Sequence, residues 1–172
     1  MHEARAYVSA MKKNDKTSTA PRKQCGALPF RRDDSGRIEV LLVTSRETRR
    51  WVIPKGWPIR KLRPNETAAR EAYEEAGLAG DVWSEPYGVF TYDKRLKSRS
   101  FVPCTVDVFL MRVDKEQKRW PERDERERRW FDAQTAAELV DEPELSDLIA
   151  ALPERLDLSK AERPRKAAGG RR

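Results

Sequence analysis

The chain has 172 residues, 38% of them hydrophobic and 38% charged, with a formal net charge of +7. That length suffices for one domain with a core, and the charged excess points to polar segments around a modest globule. The single histidine, His2, excludes a histidine-based triad and a zinc site of histidine ligands, and two cysteines are too few for a disulfide framework.

The positive charge is concentrated at the ends. Residues 1–24 carry net +4 and residues 159–172 net +5, leaving −2 for residues 25–158. Residues 1–23 and 153–172 therefore read as basic, disordered tails around a domain over 24–152. Such tails could hold RNA, an anionic membrane or polyphosphate loosely, although their composition favours a solubilising role. No apolar h-region marks a secretory signal, and no apolar run reaches the length of a membrane span. Cys25 and Cys104 both fall in predicted strands, and two buried thiols suit a reducing cytosol, so the expected location is cytoplasmic.

In chain order, Gln24–Phe30 and Ile38–Thr44 are predicted strands, joined by a turn at Asp33-Asp34-Ser35-Gly36. Trp51–Ile53 is a short apolar strand that breaks into the loop Pro54-Lys55-Gly56-Trp57-Pro58. A helix follows from about Thr67 to Ala76, with Asn65 or Thr67 as its N-cap and Gly77 at the left-handed position after its end. Pro86–Tyr92 and Cys104–Val113 are strands around a basic loop, Asp93–Ser100, and Arg128–Asp132 is a closing strand. Thr135–Val140 and Glu144–Leu152 are helices separated by Pro143. Strands mixed with a few helices predict an α/β sandwich with a mixed sheet.

The first of these helices carries the chemistry. In Arg70-Glu71-Ala72-Tyr73-Glu74-Glu75-Ala76-Gly77, three carboxylates fall within an arc of roughly 100°. Glu71 and Glu75 form a like-charged i,i+4 pair, which costs a few tenths of a kcal/mol on a bare helix. Oxygen donors crowded on one face suit a hard divalent cation, Mg²⁺ or Mn²⁺. The plain alternative is a solvated acidic face with Arg70 paired to Glu74, but the strand and Pro/Gly loop leading into the helix favour a ligand cradle.

These residues resemble the Nudix box, in which a Gly, a Glu and an Arg-Glu-aliphatic-x-Glu-Glu-x-Gly-aliphatic run stand at fixed separations. Gly56, Arg70, Glu71, Glu74, Glu75, Gly77 and Leu78 match. Leu62 stands where the pattern has its first Glu, which removes one carboxylate from the edge of the site, and Glu66 lies nearby but out of register. Ala72 is small for its aliphatic position. Over residues 24 to 152 the chain is similar to the diphosphoinositol polyphosphate phosphohydrolase branch and its bacterial relatives.

The resemblance implies a Nudix-type α/β/α sandwich and a Mg²⁺-dependent hydrolase of a phosphoanhydride in a highly phosphorylated small molecule. Diphosphoinositol polyphosphates, dinucleoside polyphosphates and polyphosphate are the candidate substrates. It also implies Glu71 and Glu75 as metal ligands completed by a backbone carbonyl near Lys55 or at Gly56, Glu74 as proton acceptor or as a sharer of the metal, and Arg70 as an orienting residue. Arg22, Lys23, Arg46, Lys55, Lys94, Arg95 and Arg126 are the bases expected at the substrate. Trp57 could stack on a base or cover the site, and the other tryptophans read as packing residues. The competing readings are a housecleaning hydrolase of ADP-ribose or nucleoside triphosphates, a binding protein weakened in catalysis by Leu62, and an RNA-directed protein.

Overall fold

Strand β1 (Arg22–Arg32) is buried without interruption from Gln24 to Phe30, as expected of a strand covered on both faces. It is the centre of the computed structural model, which describes residues 20–161. Of the expected tails over 1–23 and 153–172, residues 1–19 and 162–172, His2 among them, lie outside the described residues. Around β1 are β2 (Ile38–Thr44), β3 (Trp51–Val52), β4 (Lys55–Gly56), helix α1 (Pro64–Ala76), β5 (Leu78–Val82), β6 (Gly88–Arg95), β7 (Phe101–Glu116), β8 (Arg128–Asp132), α2 (Ala133–Leu139) and α3 (Pro143–Ala161).

The strands form one eight-stranded sheet in the order β3-β2-β1-β7-β5, with β4 on β1, β6 on β7 and β8 on β2. β1 and β7 run parallel and the other pairs antiparallel, so the sheet is mixed. α1 packs on β1, β4 and β5, while α2 and α3 pack on β2, β8 and β6. The result is the expected α/β/α sandwich. Its core runs through Leu28, Leu41, Leu42, Ile53, Phe90, Phe109 and Leu110, all essentially inaccessible.

Several boundaries differ from the sequence reading. α1 starts at Pro64, and its cap is Arg63 rather than Asn65 or Thr67. Proline fits the first helical position because it has no N–H to satisfy there. Glu66 Oε2 reaches back to the Arg63 N–H at 2.7 Å, and the Thr67 hydroxyl instead accepts from the Ile59 N–H at 3.3 Å. β6 extends through Lys94 and Arg95, which therefore leave the basic loop. Arg22 and Lys23 belong to β1. Pro143 opens α3, and that helix continues past Leu152 to Ala161. Leu145, Ile149, Leu152 and Leu156 are all buried, a helical stripe that ties the extra turns to the core.

Candidate active site

The loop and the acidic helix meet through two adjacent residues. β4 pairs with β1 at Cys25↔Gly56 and Gly26↔Lys55, which sets Lys55 and Gly56 against α1. A Cβ at Gly56 would overlap the Glu71 carboxylate, with Oε2 only 2.6 Å away. Glycine is required there for space. One turn along α1, Glu75 Oε2 accepts from the Lys55 N–H at 3.3 Å. Two carboxylates of one helix thus rest on consecutive residues of one loop.

Glu75 is buried against the side chain of Arg126, whose Nη2 donates to its Oε1 at 2.9 Å. The same guanidinium donates to the Thr44 carbonyl at 3.1 Å and to Glu122 Oε2 at 3.3 Å. Burial outweighs the attraction of Arg126 and Lys55 and pushes the Glu75 carboxyl up to about 7. Glu71 is also raised, first by burial and then by repulsion from Glu74 and Glu122. Lys55 places its ammonium 4.8 Å over the Tyr92 ring, and burial lowers it to about 8. At the exposed side of α1, Arg70 Nε donates to Glu74 Oε1 at 2.7 Å.

Among the described residues no three histidine, cysteine or acidic side chains stand together as a ready metal cage. The donor set still fits a hard divalent cation. It is all oxygen, Glu71 is crowded by like charges, and Gly56 leaves the Glu71 carboxylate in contact with the loop backbone. Glu71, Glu75 and the Gly56 carbonyl are the groups that could hold the ion.

The expected bases divide. Lys55 stands beside Glu75, and Lys94 places its ammonium 5.4 Å over Trp57, the exposed neighbour of Gly56. Arg22 and Lys23 are exposed at the start of β1. Arg95 lies opposite Phe101 in the β6–β7 pair, and strand alternation puts it on the other face from Lys94. Arg46 is paired with Glu122 and Glu125 at 3.4 and 3.5 Å. Arg126 is committed to Glu75, Glu122 and Thr44, so the structure makes it a support of the acids rather than an open phosphate clamp. Glu66 is spent on the helix start, so it does not replace the carboxylate lost at Leu62. Arg70 turns to Glu74.

Two features escaped the sequence reading. Glu122 approaches the acids from the segment before β8, and its only sequence signal is the i,i+4 spacing to Arg126. Arg50 Nη2 holds the buried Glu142 carboxylate at 2.7 Å, joining the start of β3 to the residue before α3.

The NUDIX domain family matches residues 21–152. The chain is 34% identical over 129 residues to "Nudix hydrolase 12, mitochondrial" of Arabidopsis thaliana, covering 66% of this chain and 64% of that protein. It thus spans less than two thirds of that relative's length. It is 32% identical over 122 residues to diphosphoinositol polyphosphate phosphohydrolase 3-alpha of Mus musculus, covering 69% of each. The crystal structure of the C. elegans Ap4A hydrolase shares the fold at a TM-score of 0.61 and 22% identity, covering 80% of this chain and 99% of that one. No helix among the described residues is long and apolar enough to cross a membrane.

Proposed function

The chain belongs to the Nudix hydrolase family, and we propose that it cleaves a phosphoanhydride bond in a highly phosphorylated small molecule with Mg²⁺ as cofactor. The observation that carries this reading is the seating of the Glu71 carboxylate on Gly56, with Glu75 on Lys55 one turn away. A divalent ion bound by Glu71, Glu75 and the Gly56 carbonyl would offset the charge that builds on the phosphate oxygens. Glu74 is the proposed proton acceptor for the attacking water, exposed enough to exchange its proton with solvent. Arg70 orients that carboxylate through a charge-assisted hydrogen bond. Arg126 fixes Glu75 from the far side, and Glu122 adds a further carboxylate on the same guanidinium. Lys55 meets the phosphate next to the bond that breaks, with Lys94, Arg22 and Lys23 further along the anionic chain.

Diphosphoinositol polyphosphates, dinucleoside polyphosphates and polyphosphate are the proposed substrates. The location proposed is the cytoplasm. The nucleotide reading, which includes ADP-ribose and nucleoside triphosphates, is favoured by one specific observation. Trp57, beside the acids, keeps over a third of its surface exposed, and an indole presented there suits a base. Hydrolysis of these substrates with Mg²⁺ and Mn²⁺, read by chromatography of the products, tests the proposal. Metal-dependent cleavage of at least one of the three polyphosphate classes is expected. Cleavage of ADP-ribose or nucleoside triphosphates alone would transfer the assignment to a housecleaning role.

A further inference from the structure

The end of the β6–β7 hairpin carries charge that the acid site does not use. Residues 94–101 hold four bases, Lys94, Arg95, Lys97 and Arg99, and no acid. Lys94 lies over Trp57, whereas Arg95, Lys97 and Arg99 are exposed and meet no carboxylate among the described residues. Elsewhere on the surface, arginines are held by acids: Arg31 by Glu39, Arg70 by Glu74 and Arg129 by Glu127. The three hairpin cations are open to an anion from outside.

The turn presents them at some steric cost. The Leu96 N–H donates to the Ser100 carbonyl at 2.8 Å, and the Arg99 N–H donates to the Leu96 carbonyl at 3.0 Å. Arg99 takes φ 62°, the left-handed position that glycine fills freely in such a turn. A long cation stands there instead.

Beside the cations lies a bare ring. Phe101 faces Arg95 across the strand pair and is 65% exposed, with no ring or cation over it among the described residues. A Cβ at Gly88 would meet Leu148, so the Gly88 side of β6 faces α3. Strand alternation sets Val89 and Arg95 on the opposite side with Phe101, and Val89 is itself 45% exposed. Asp93, opposite Pro103, and Asp107, opposite Val89, share that side and confine the cationic stretch to the hairpin end.

We propose that this hairpin end binds single-stranded nucleic acid, with Phe101 stacked on a base while Arg95, Lys97 and Arg99 hold the flanking phosphates. Such strands offer a flat face at every base and a charge at every link, and the surface supplies a partner for each. Binding there needs neither a metal nor the α1 carboxylates. An anionic membrane fits less well. The apex Lys97-Ser98-Arg99-Ser100 is polar, and the aromatic ring lies back on the strand rather than at a tip that would enter lipid.

The test is fluorescence anisotropy of a short labelled oligouridine with the full chain, in chelator and over a salt series. Phe101→Ala is expected to weaken binding about tenfold or more, and Phe101→Trp to restore it. Arg95→Ala, Lys97→Ala and Arg99→Ala together are expected to reduce the salt slope by about 2. The basic ends of the chain are intact in every variant, so any affinity they carry is common to all. No binding by the full chain, full affinity in Phe101→Ala, or an unchanged slope in the triple variant would overturn the proposal. Sedimentation with phosphatidylserine vesicles runs alongside. Vesicle binding that is lost in Phe101→Ala while oligouridine binding is kept would overturn it in favour of lipid.

Discussion

Gly56 illustrates how one missing side chain can define a site. The atoms crowding it are the far end of Glu71, a flexible side chain, so an added methyl would displace the carboxylate rather than the backbone. Gly56→Ala should lower turnover about a hundredfold while leaving the thermal midpoint nearly unchanged, because small misplacements of reacting groups are costly in rate. A large fall in midpoint, read by calorimetry, would assign Gly56 to folding instead. Glu75 gives a second prediction. Its carboxyl is raised from 4.5 to about 7, so the folded form holds this proton more tightly than the unfolded chain does. Its contribution to stability is then full below about 4.5 and is lost as pH rises through about 7. Metal-free protein should lose midpoint over that window, and Glu75→Gln should lose less. The three helix acids and Gly56 were legible in the sequence because their spacing is local. Glu122 was not, since it joins them only when the segment before β8 folds back on α1. Arg126 is a substrate base by its sequence, and the structure pairs it with Glu75 and Glu122, since sequence shows a base but not which acid faces it.

At the scale of elements, the C-terminus of α1 is held by tertiary contacts. Gly77 adopts φ 64° and ends the helix, with its N–H donating to Tyr73 O at 2.8 Å. A Cβ there would lie 2.8 Å from the Trp120 ring and 2.9 Å from Arg128 Nη1. Arg128 in turn donates to the Ala76 and Gln117 carbonyls at 2.6 and 2.9 Å, satisfying groups the helix end leaves open. Gly77→Ala should therefore cost about 1–3 kcal/mol in chemical denaturation, from the left-handed backbone and the crowding together. No change in the denaturation midpoint would refute that account. The sequence located this helix end and the closing strand β8 at their observed residues. It missed β4, too short to show a period, and β5, where Gly80 and Asp81 break the alternation of a buried strand. Gly80 is needed because the Arg112 carbonyl of β7 occupies the space a Cβ would take. The helical stripe through Leu156 was readable, but Pro153 hid it, since proline inside a helix is rare away from the first turn.

For the whole molecule, the charge is divided between a mildly acidic middle and strongly basic ends. Removing residues 1–19 and 162–172 should leave turnover on small polyphosphates unchanged. Any RNA affinity carried by these ends, with its steep salt dependence, should disappear with them. RNA binding with an unaltered salt slope in the trimmed chain would place a nucleic-acid surface on the folded domain. The α1 carboxylates are proposed to perform metal-dependent hydrolysis without the acid that Leu62 replaces. The most direct measurement is Mg²⁺-dependent cleavage of a dinucleoside polyphosphate to mononucleotides by the full chain and by Glu75→Gln, which keeps the shape of the side chain. A metal-dependent rate that falls about a hundredfold or more in the variant is the predicted result. Full turnover retained by Glu75→Gln would contradict it.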